Sequence, residues 1–306
     1  MLKAAIGYWK LSQKYGVTKA IKYFYSWYYG QYKQKGVDLG RERIITTKNG
    51  CKLHLIPNDP GISLELTRFR SHEPVTTEIV SKKLRNGMVC VDAGGNIGYY
   101  ATLESIKVGK NGKVIAIEPS PLNFRYLTKN LELQNQSNYE VHNFACGKEN
   151  GELSFLVHDI SNMCKVIKDG DNIPEGMEVI KIPVKKLDTF LNSIGIEKID
   201  FLRMDIEGSE LNLFEGAKNI IKNSKPMIQF EFHPGKLGPA NTRKVLEYLK
   251  SEDYKVYSFL IGYLDTPLVG TVRDLKKYSF DQMLSMVDDE TLPPNILLFL
   301  EVKNSN

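Results

Sequence analysis

The stretch that speaks most directly of chemistry is Val91-Asp92-Ala93-Gly94-Gly95-Asn96-Ile97-Gly98, glycine-rich and set between a strand-like run and a helix-like one. Glycines at 94, 95 and 98 let the backbone approach a ligand closely, and the helix start beyond them offers unpaired N–H groups. Glu118 ends the next apolar run, twenty residues after Gly98. An acid so spaced can accept hydrogen bonds from both hydroxyls of a ribose. Loop and acid together point to an adenosine-containing cofactor. A dinucleotide asks for G-x-G-x-x-G around its pyrophosphate, whereas a carboxylate at Asp92 would repel a pyrophosphate and pair with an ammonium group. A charge-assisted hydrogen bond contributes roughly 1.5–3 kcal/mol, enough to choose between them. S-adenosylmethionine carries an ammonium, a sulfonium and no phosphate, so it is the expected cofactor. The plainer alternative for Asp92, a helix-capping carboxylate, fits less well beside Glu118.

Methyl transfer is an in-line displacement at a carbon already activated by the sulfonium, which leaves the protein to position the reactants and remove the acceptor's proton. Four polar residues suit that work at the carboxyl ends of the fourth and fifth strands: Asp205, Glu207, Glu231 and His233. Strand side chains repeat every two residues, so Glu231 and His233 share a face. His233 is the expected general base, since imidazole alone titrates near neutrality when unperturbed, with Glu231 orienting it or the acceptor. The plainer alternative is that His233 caps a loop before Pro234. Asp205 and Glu207 are expected to line the methionine and acceptor pockets. A Mg²⁺ or Mn²⁺ ion on Asp205, Glu207 and Glu231 or His233 is the disfavoured alternative. No dedicated metal spacing supports it, and chelation should leave activity unchanged. His54, His72, His142 and His158 read as structural, and the Pro234–Ala240 loop as an acceptor-side wall.

These residues need elements to carry them. Asn49-Gly50 between Arg43–Thr47 and Cys51–Pro57 is a hairpin signal. A helix is expected over Val75–Leu84. Apolar runs at Met88–Asp92, Lys113–Glu118, Glu140–Phe144, Asp200–Asp205, Pro226–Phe232 and Tyr254–Phe259 then alternate with amphipathic segments at Gly98–Val108, Leu122–Leu133, Glu210–Lys222 and Thr242–Ser251. This alternation argues for a doubly wound α/β fold, a parallel sheet with helices on both faces. The run Asn295–Val302 is expected to close the sheet as an antiparallel edge. Gly151–His158 and Glu178–Lys185 alternate like paired strands around the loop 159–176. The long segment 261–294 reads as a helical excursion or a lid over the active-site edge.

At this point the chain resembles a class I methyltransferase of the FkbM family. The matching residues are Asp92 through Gly98, Glu118-Pro119-Ser120-Pro121 with Asn123, Asn143-Phe144-Ala145, and Leu187-Asp188-Thr189. The most specific block is Arg203-Met204-Asp205-Ile206-Glu207-Gly208-Ser209-Glu210, with Gly216-Ala217 after it. The resemblance covers roughly residues 70–235. Two departures matter: Gly94-Gly95 stands where the family usually has Gly-Ala, and Arg203 where it usually has Lys. Arginine keeps the charge but cannot act as a base near neutral pH. The resemblance implies a Rossmann-like, mostly parallel seven-stranded sheet and methyl transfer to oxygen, commonly a sugar or natural-product hydroxyl. The expected cofactor contacts are Asp92, Gly94, Gly95, Asn96, Gly98, Glu118, Pro119, Asn123, Ala145 and Asp205. The residues agree on the acceptor. Base aminomethylation would want Asn/Asp-Pro-Pro-aromatic where Asp205-Ile206-Glu207-Gly208 stands, and pyrimidine C5 chemistry a Pro-Cys pair that the sequence lacks.

Composition fits an ordinary globular chain. Of 306 residues, 42% are hydrophobic and 25% charged, and 41 Lys+Arg stand against 36 Asp+Glu. That excludes disordered and collagen-like classes. The longest uncharged run, Ala93–Leu103, is too short to span a membrane. No secretory signal is evident, and four scattered cysteines suggest buried thiols in a cytoplasmic protein. The net charge of +5 is uneven: residues 1–37 hold seven lysines and no acid, so the remainder sums to 5 − 7 = −2. The same stretch holds both tryptophans. Two helices there would suit an anionic membrane at the inner face; the plainer alternative is packing against protein. The organisation expected is a helical arm over 1–37, a hairpin and lead-in over 38–74, and a catalytic domain over 75–306 with insertions near 151–185 and 261–294. A small-molecule or glycan acceptor is expected, and nucleic acid is not, because the body is slightly acidic. An RNA or protein methyltransferase and a non-catalytic cofactor-binding protein are the remaining alternatives.

Overall fold

The computed structural model describes residues 40–157, 165–167, 173, 177–262, 265–267 and 278–303. The arm over 1–37, most of the loop 159–177, and part of 261–294 lie outside the described residues. Arg43–Thr46 (β1) and Lys52–Leu55 (β2) pair antiparallel about Asn49-Gly50. Two helices follow, Ile62–Phe69 (α1) and Pro74–Lys83 (α2). The first was not expected, because its apolar positions span only two turns.

The central sheet then builds by strand–helix alternation. Val89–Ala93 (β3), Tyr99–Val108 (α3), Lys113–Ile117 (β4), Pro121–Glu132 (α4) and Tyr139–His142 (β5) follow in turn. Val91, Ala93, Ile115 and Ile117 pack into one core while Cys90, Val114 and Ala116 pack into another. That explains the unbroken apolar runs: strands covered on both faces have no side to leave polar. Asn130 on α4 accepts from the His54 N–H and donates to the His54 and Ile97 carbonyls, tying the hairpin to the glycine loop.

An insertion interrupts the alternation. Ala145–Gly147 (β6), Gly151–Val157 (β7), Lys165–Val166 (β8) and Glu178–Lys186 (β9) form a second sheet in the order β6-β9-β7-β8. Its β7–β9 pair is antiparallel, as the alternation in sequence predicts. Leu187–Ser193 (α5) returns the chain to Phe201–Met204 (β10). The single helix expected over Glu210–Lys222 is two, Glu210–Gly216 (α6) and Lys218–Ser224 (α7), broken at Ala217 with φ −117°.

Met227–Phe232 (β11), Pro234–Ser251 (α8), Tyr254–Ile261 (β12), Phe280–Asp288 (α9) and Ile296–Val302 (β13) complete the chain. The Pro234–Ala240 loop is instead the start of α8, kinked at Gly238 with φ 74°; Pro234 at the first helical turn favours that start. Part of the 261–294 excursion is the helix α9. The seven strands run β12-β13-β11-β10-β3-β4-β5, and all but β13 are parallel. The antiparallel strand lies at the expected end of the sheet, one place in, with β12 outermost. Strand order reverses between β3 and β10, where a doubly wound sheet opens its ligand crevice. Cys51, Cys90 and Cys146 are buried free thiols, as expected. Among the described residues no helix is long and apolar enough to cross a membrane.

Candidate active site

The tips of β3, β4, β10 and β11 meet at the reversal. Parallel register pairs Met204 with Ala93 and with Phe230, so one step further Asp205 stands between Gly94 and Glu231. Gly94 has φ 84°, and a Cβ there would collide with the Asp205 carbonyl. Only glycine permits that approach. Gly95 lies behind the loop, where an added Cβ would meet Leu127 at 3.2 Å.

Glu118 is held by its own loop. Its Oε2 accepts from the Asn96 N–H and its Oε1 from the Ser120 N–H, both at 2.8 Å. A carboxylate has about four lone-pair sites, so each oxygen keeps capacity for a ligand hydroxyl. Burial pushes the carboxyl up to about 7, against the pull of the two N–H donors. Asn143 donates to the Glu118 and Pro119 carbonyls and fixes the same turn. Ser120 caps α4 by accepting from the Asn123 N–H.

The crevice encloses about 690 Å³ including its open mouth. Of the residues expected to contact a cofactor, Gly94, Asn96, Glu118, Pro119, Asn123, Ala145 and Asp205 line it, and so does Glu207. Phe144, Phe155 and Val166 add an apolar wall. The last two come from the insertion, whose alternation revealed strands but not their destination. Gly95 and Gly98 shape the loop from behind.

Asp92 is a correction. Its carboxylate has no exposed surface and takes the Arg203 guanidinium at 2.9 Å. Asp92 and Arg203 are register partners on neighbouring strands, so their side chains share a sheet face. The charge expected to greet a ligand ammonium is therefore spent inside. Burial nevertheless raises the Asp92 carboxyl, with Arg203 opposing it. Arg203 also faces Asp205 at 3.7 Å and lies 4.1 Å over the Tyr100 ring. Crevice acidity comes from Glu118, Asp205 and Glu207 instead.

His233 requires a second correction. It is 3% exposed, its Nδ1 donates to Glu210 Oε1 at 2.6 Å, and its Nε2 faces Glu207 at 3.4 Å and Glu231 at 3.6 Å. Burial alone would lower the ring's pKa. The Glu210 hydrogen bond and the charges of Glu231, Glu210 and Asp205 outweigh it, pushing the ring up to about 9. A ring kept cationic by its neighbours has no lone pair to take a proton near neutrality, so the general-base role does not fit. Burial, then the Asp205 and Glu73 charges, raises the Glu231 carboxyl, which accepts from Asn295. Asp205, Glu231 and His233 each bring one ligand atom within 4.8 Å of the others.

Glu210 and Arg203 stood in the sequence block without a role, because only the folded sheet brings them to His233 and Asp92. Of the remaining histidines, His54, His72 and His142 are paired with Glu42, Glu65 and Glu140. His158 lies outside the described residues.

Sheet order, reversal point and acid-lined crevice define a Rossmann-like methyltransferase domain. A family model, the Methyltransferase FkbM domain, matches residues 92–256, and the chain belongs to that family. Over 142 residues it is 28% identical to Methyltransferase 1 of Beauveria bassiana, covering 41% of this chain and 57% of that protein. Over 155 residues it is 26% identical to methyltransferase sdnD of Sordaria araneosa, covering 42% and 59%. The alignments thus span less than two thirds of either relative. Among solved structures, an FkbM methyltransferase from Methylobacillus flagellatus superposes with TM-score 0.45 at 19% identity, covering 78% of this chain and 51% of that one.

Proposed function

We propose that the chain is an S-adenosylmethionine-dependent O-methyltransferase acting on a hydroxyl of a saccharide, glycolipid or natural product. The observation that carries this reading is Glu118, with one backbone N–H on each oxygen and its remaining lone pairs available at a crevice with two further acids. Such an acid suits a ribose diol, and the acidic crevice suits a cationic nucleoside over a phosphorylated one. Gly94, Asn96 and Pro119 line the same crevice beside Glu118. Phe144, Ala145 and Phe155 offer the apolar surface a purine needs.

S-adenosylmethionine supplies a methyl carbon activated by its sulfonium. The chain's part is to align the acceptor oxygen, exclude water and receive the hydroxyl proton on the carboxylate of Asp205 or Glu207; Glu231, pushed up to about 8 by burial, already holds a proton near neutrality. Oxygen gains the methyl carbon as the carbon–sulfur bond breaks, with that electron pair staying on sulfur. Arg203 acts here as a fixed cation that holds Asp92 and faces Asp205.

Tritiated S-adenosylmethionine, incubated with the protein and cell extract, should label a saccharide, glycolipid or small-molecule fraction. Label confined to nucleic acid or protein would overturn the acceptor class. Binding of the nucleoside with no label in any fraction would favour a non-catalytic cofactor-binding protein.

A further inference from the structure

We infer that Asp205, Glu231 and His233 form a binding site for a divalent metal cation, at the acceptor side of the crevice. Sequence spacing disfavoured an ion on Asp205, Glu207 and Glu231 or His233; the sheet order, which sets the tips of two neighbouring strands side by side, reverses that expectation for Asp205, Glu231 and His233. One atom from each lies within 4.8 Å of the other two, so small side-chain rotations bring all three to one ion. Two carboxylates and an imidazole make an O,O,N donor set whose oxygens suit Mn²⁺ and whose nitrogen favours a transition metal over Mg²⁺.

Two further observations point to a cation. First, His233 is secured from behind. Glu210 has no exposed surface, belongs to α6 rather than to the trio, and takes the ring's Nδ1 at 2.6 Å. That bond fixes the ring and aims Nε2 at the carboxylates, as an outer carboxylate does for metal-binding histidines. Second, Asp205 Oδ1 is buried and has no hydrogen-bond partner among the described residues. A buried acceptor is rarely left so, and an ion beside Glu231 and His233 would satisfy it.

The dication takes the place of the ring's proton, as metal binding to histidine requires. Three protein ligands leave coordination positions open for acceptor oxygens. The ion's task would be to hold the acceptor hydroxyl and make its proton easier to lose. That task rests on the methyl-transfer reading; the site itself does not.

The test is a titration of the full chain, freed of metal by chelator, with Mn²⁺. Unbound Mn²⁺ is followed by electron paramagnetic resonance and the nucleoside is left out. One ion per chain is expected. Glu231→Gln, nearly isosteric, should weaken binding at least about tenfold, and Glu210→Gln should weaken it by about 10–100-fold through the ring it orients. Glu78→Gln on the exposed face of α2 should change nothing. Circular dichroism confirms that each variant folds. Absence of Mn²⁺ binding at millimolar ion, or equal binding by Glu231→Gln and Glu78→Gln, would overturn the site. Separate calorimetry with S-adenosylmethionine keeps the two proposals apart: nucleoside binding without Mn²⁺ binding sinks only the metal, and the converse sinks only the methyl-donor reading.

Discussion

Arg203→Met is expected to destabilise the fold by about 3–5 kcal/mol, the usual cost of stripping one partner from a buried ion pair. Asp92 has no exposed surface, its Oδ1 takes Arg203 at 2.9 Å, and its Oδ2 has no hydrogen-bond partner among the described residues. Without the guanidinium it must keep an uncompensated charge or bind a proton. Glu104 lies near by, also fully buried, with neither oxygen hydrogen-bonded among the described residues. Burial and the Asp92 charge raise its carboxyl well above the ordinary range, so the interior is already poor at holding negative charge. Arg203→Lys should cost less, because it keeps the charge but loses the planar fork that faces Asp92 and Asp205 together. Asp92→Asn with Arg203→Met should recover much of the loss, since no buried charge then lacks a partner. Urea denaturation reads all three, and unchanged stability in Arg203→Met would contradict the pairing.

Glu118→Gln is expected to weaken nucleoside binding by about 100-fold, from replacing two charge-assisted hydrogen bonds with ordinary ones. The amide adds a second fault. Both carboxylate oxygens accept backbone N–H groups, so the amide's NH₂ must face one of those donors. The wild-type protein should also lose affinity as pH falls through about 7, where Glu118 gains its proton. The sign follows from the shift. Burial raises this carboxyl, so it is charged, and strongest as an acceptor, only above that pH. Glu118→Gln has no carboxyl to titrate and should lose this part of the pH dependence. Calorimetry from pH 6 to 8 checks both effects. A wild-type affinity flat across that range would remove Glu118 from the binding site.

Much of this was legible before folding. Asp92 through Gly98 and Glu118 announce themselves because turn and loop chemistry is local: Gly94 needs φ 84°, and an acid ending a strand stays at its tip whatever the strand order. Neighbour relations across the sheet are not local. The periodicity placed Asp92 and Arg203 on strands but not on adjacent ones, so Asp92 was read as facing a ligand when it faces Arg203. His233 failed for the same reason. Its ordinary pKa suited a base, yet Glu210, Glu207 and Glu231 converge on it from a helix, a turn and a strand. Pro234 and Gly235 suggested a loop because both residues usually break helices, whereas Pro234 at the first turn of α8 starts one.

The central claim is that an acid-lined crevice at the strand-order reversal receives a cationic nucleoside and rejects a pyrophosphate. Isothermal titration of the full chain with S-adenosylmethionine and, separately, with NAD⁺ tests it most directly. Saturable heat with S-adenosylmethionine at one site per chain, and none with NAD⁺, is the predicted result. Tighter binding of NAD⁺ than of S-adenosylmethionine would contradict it.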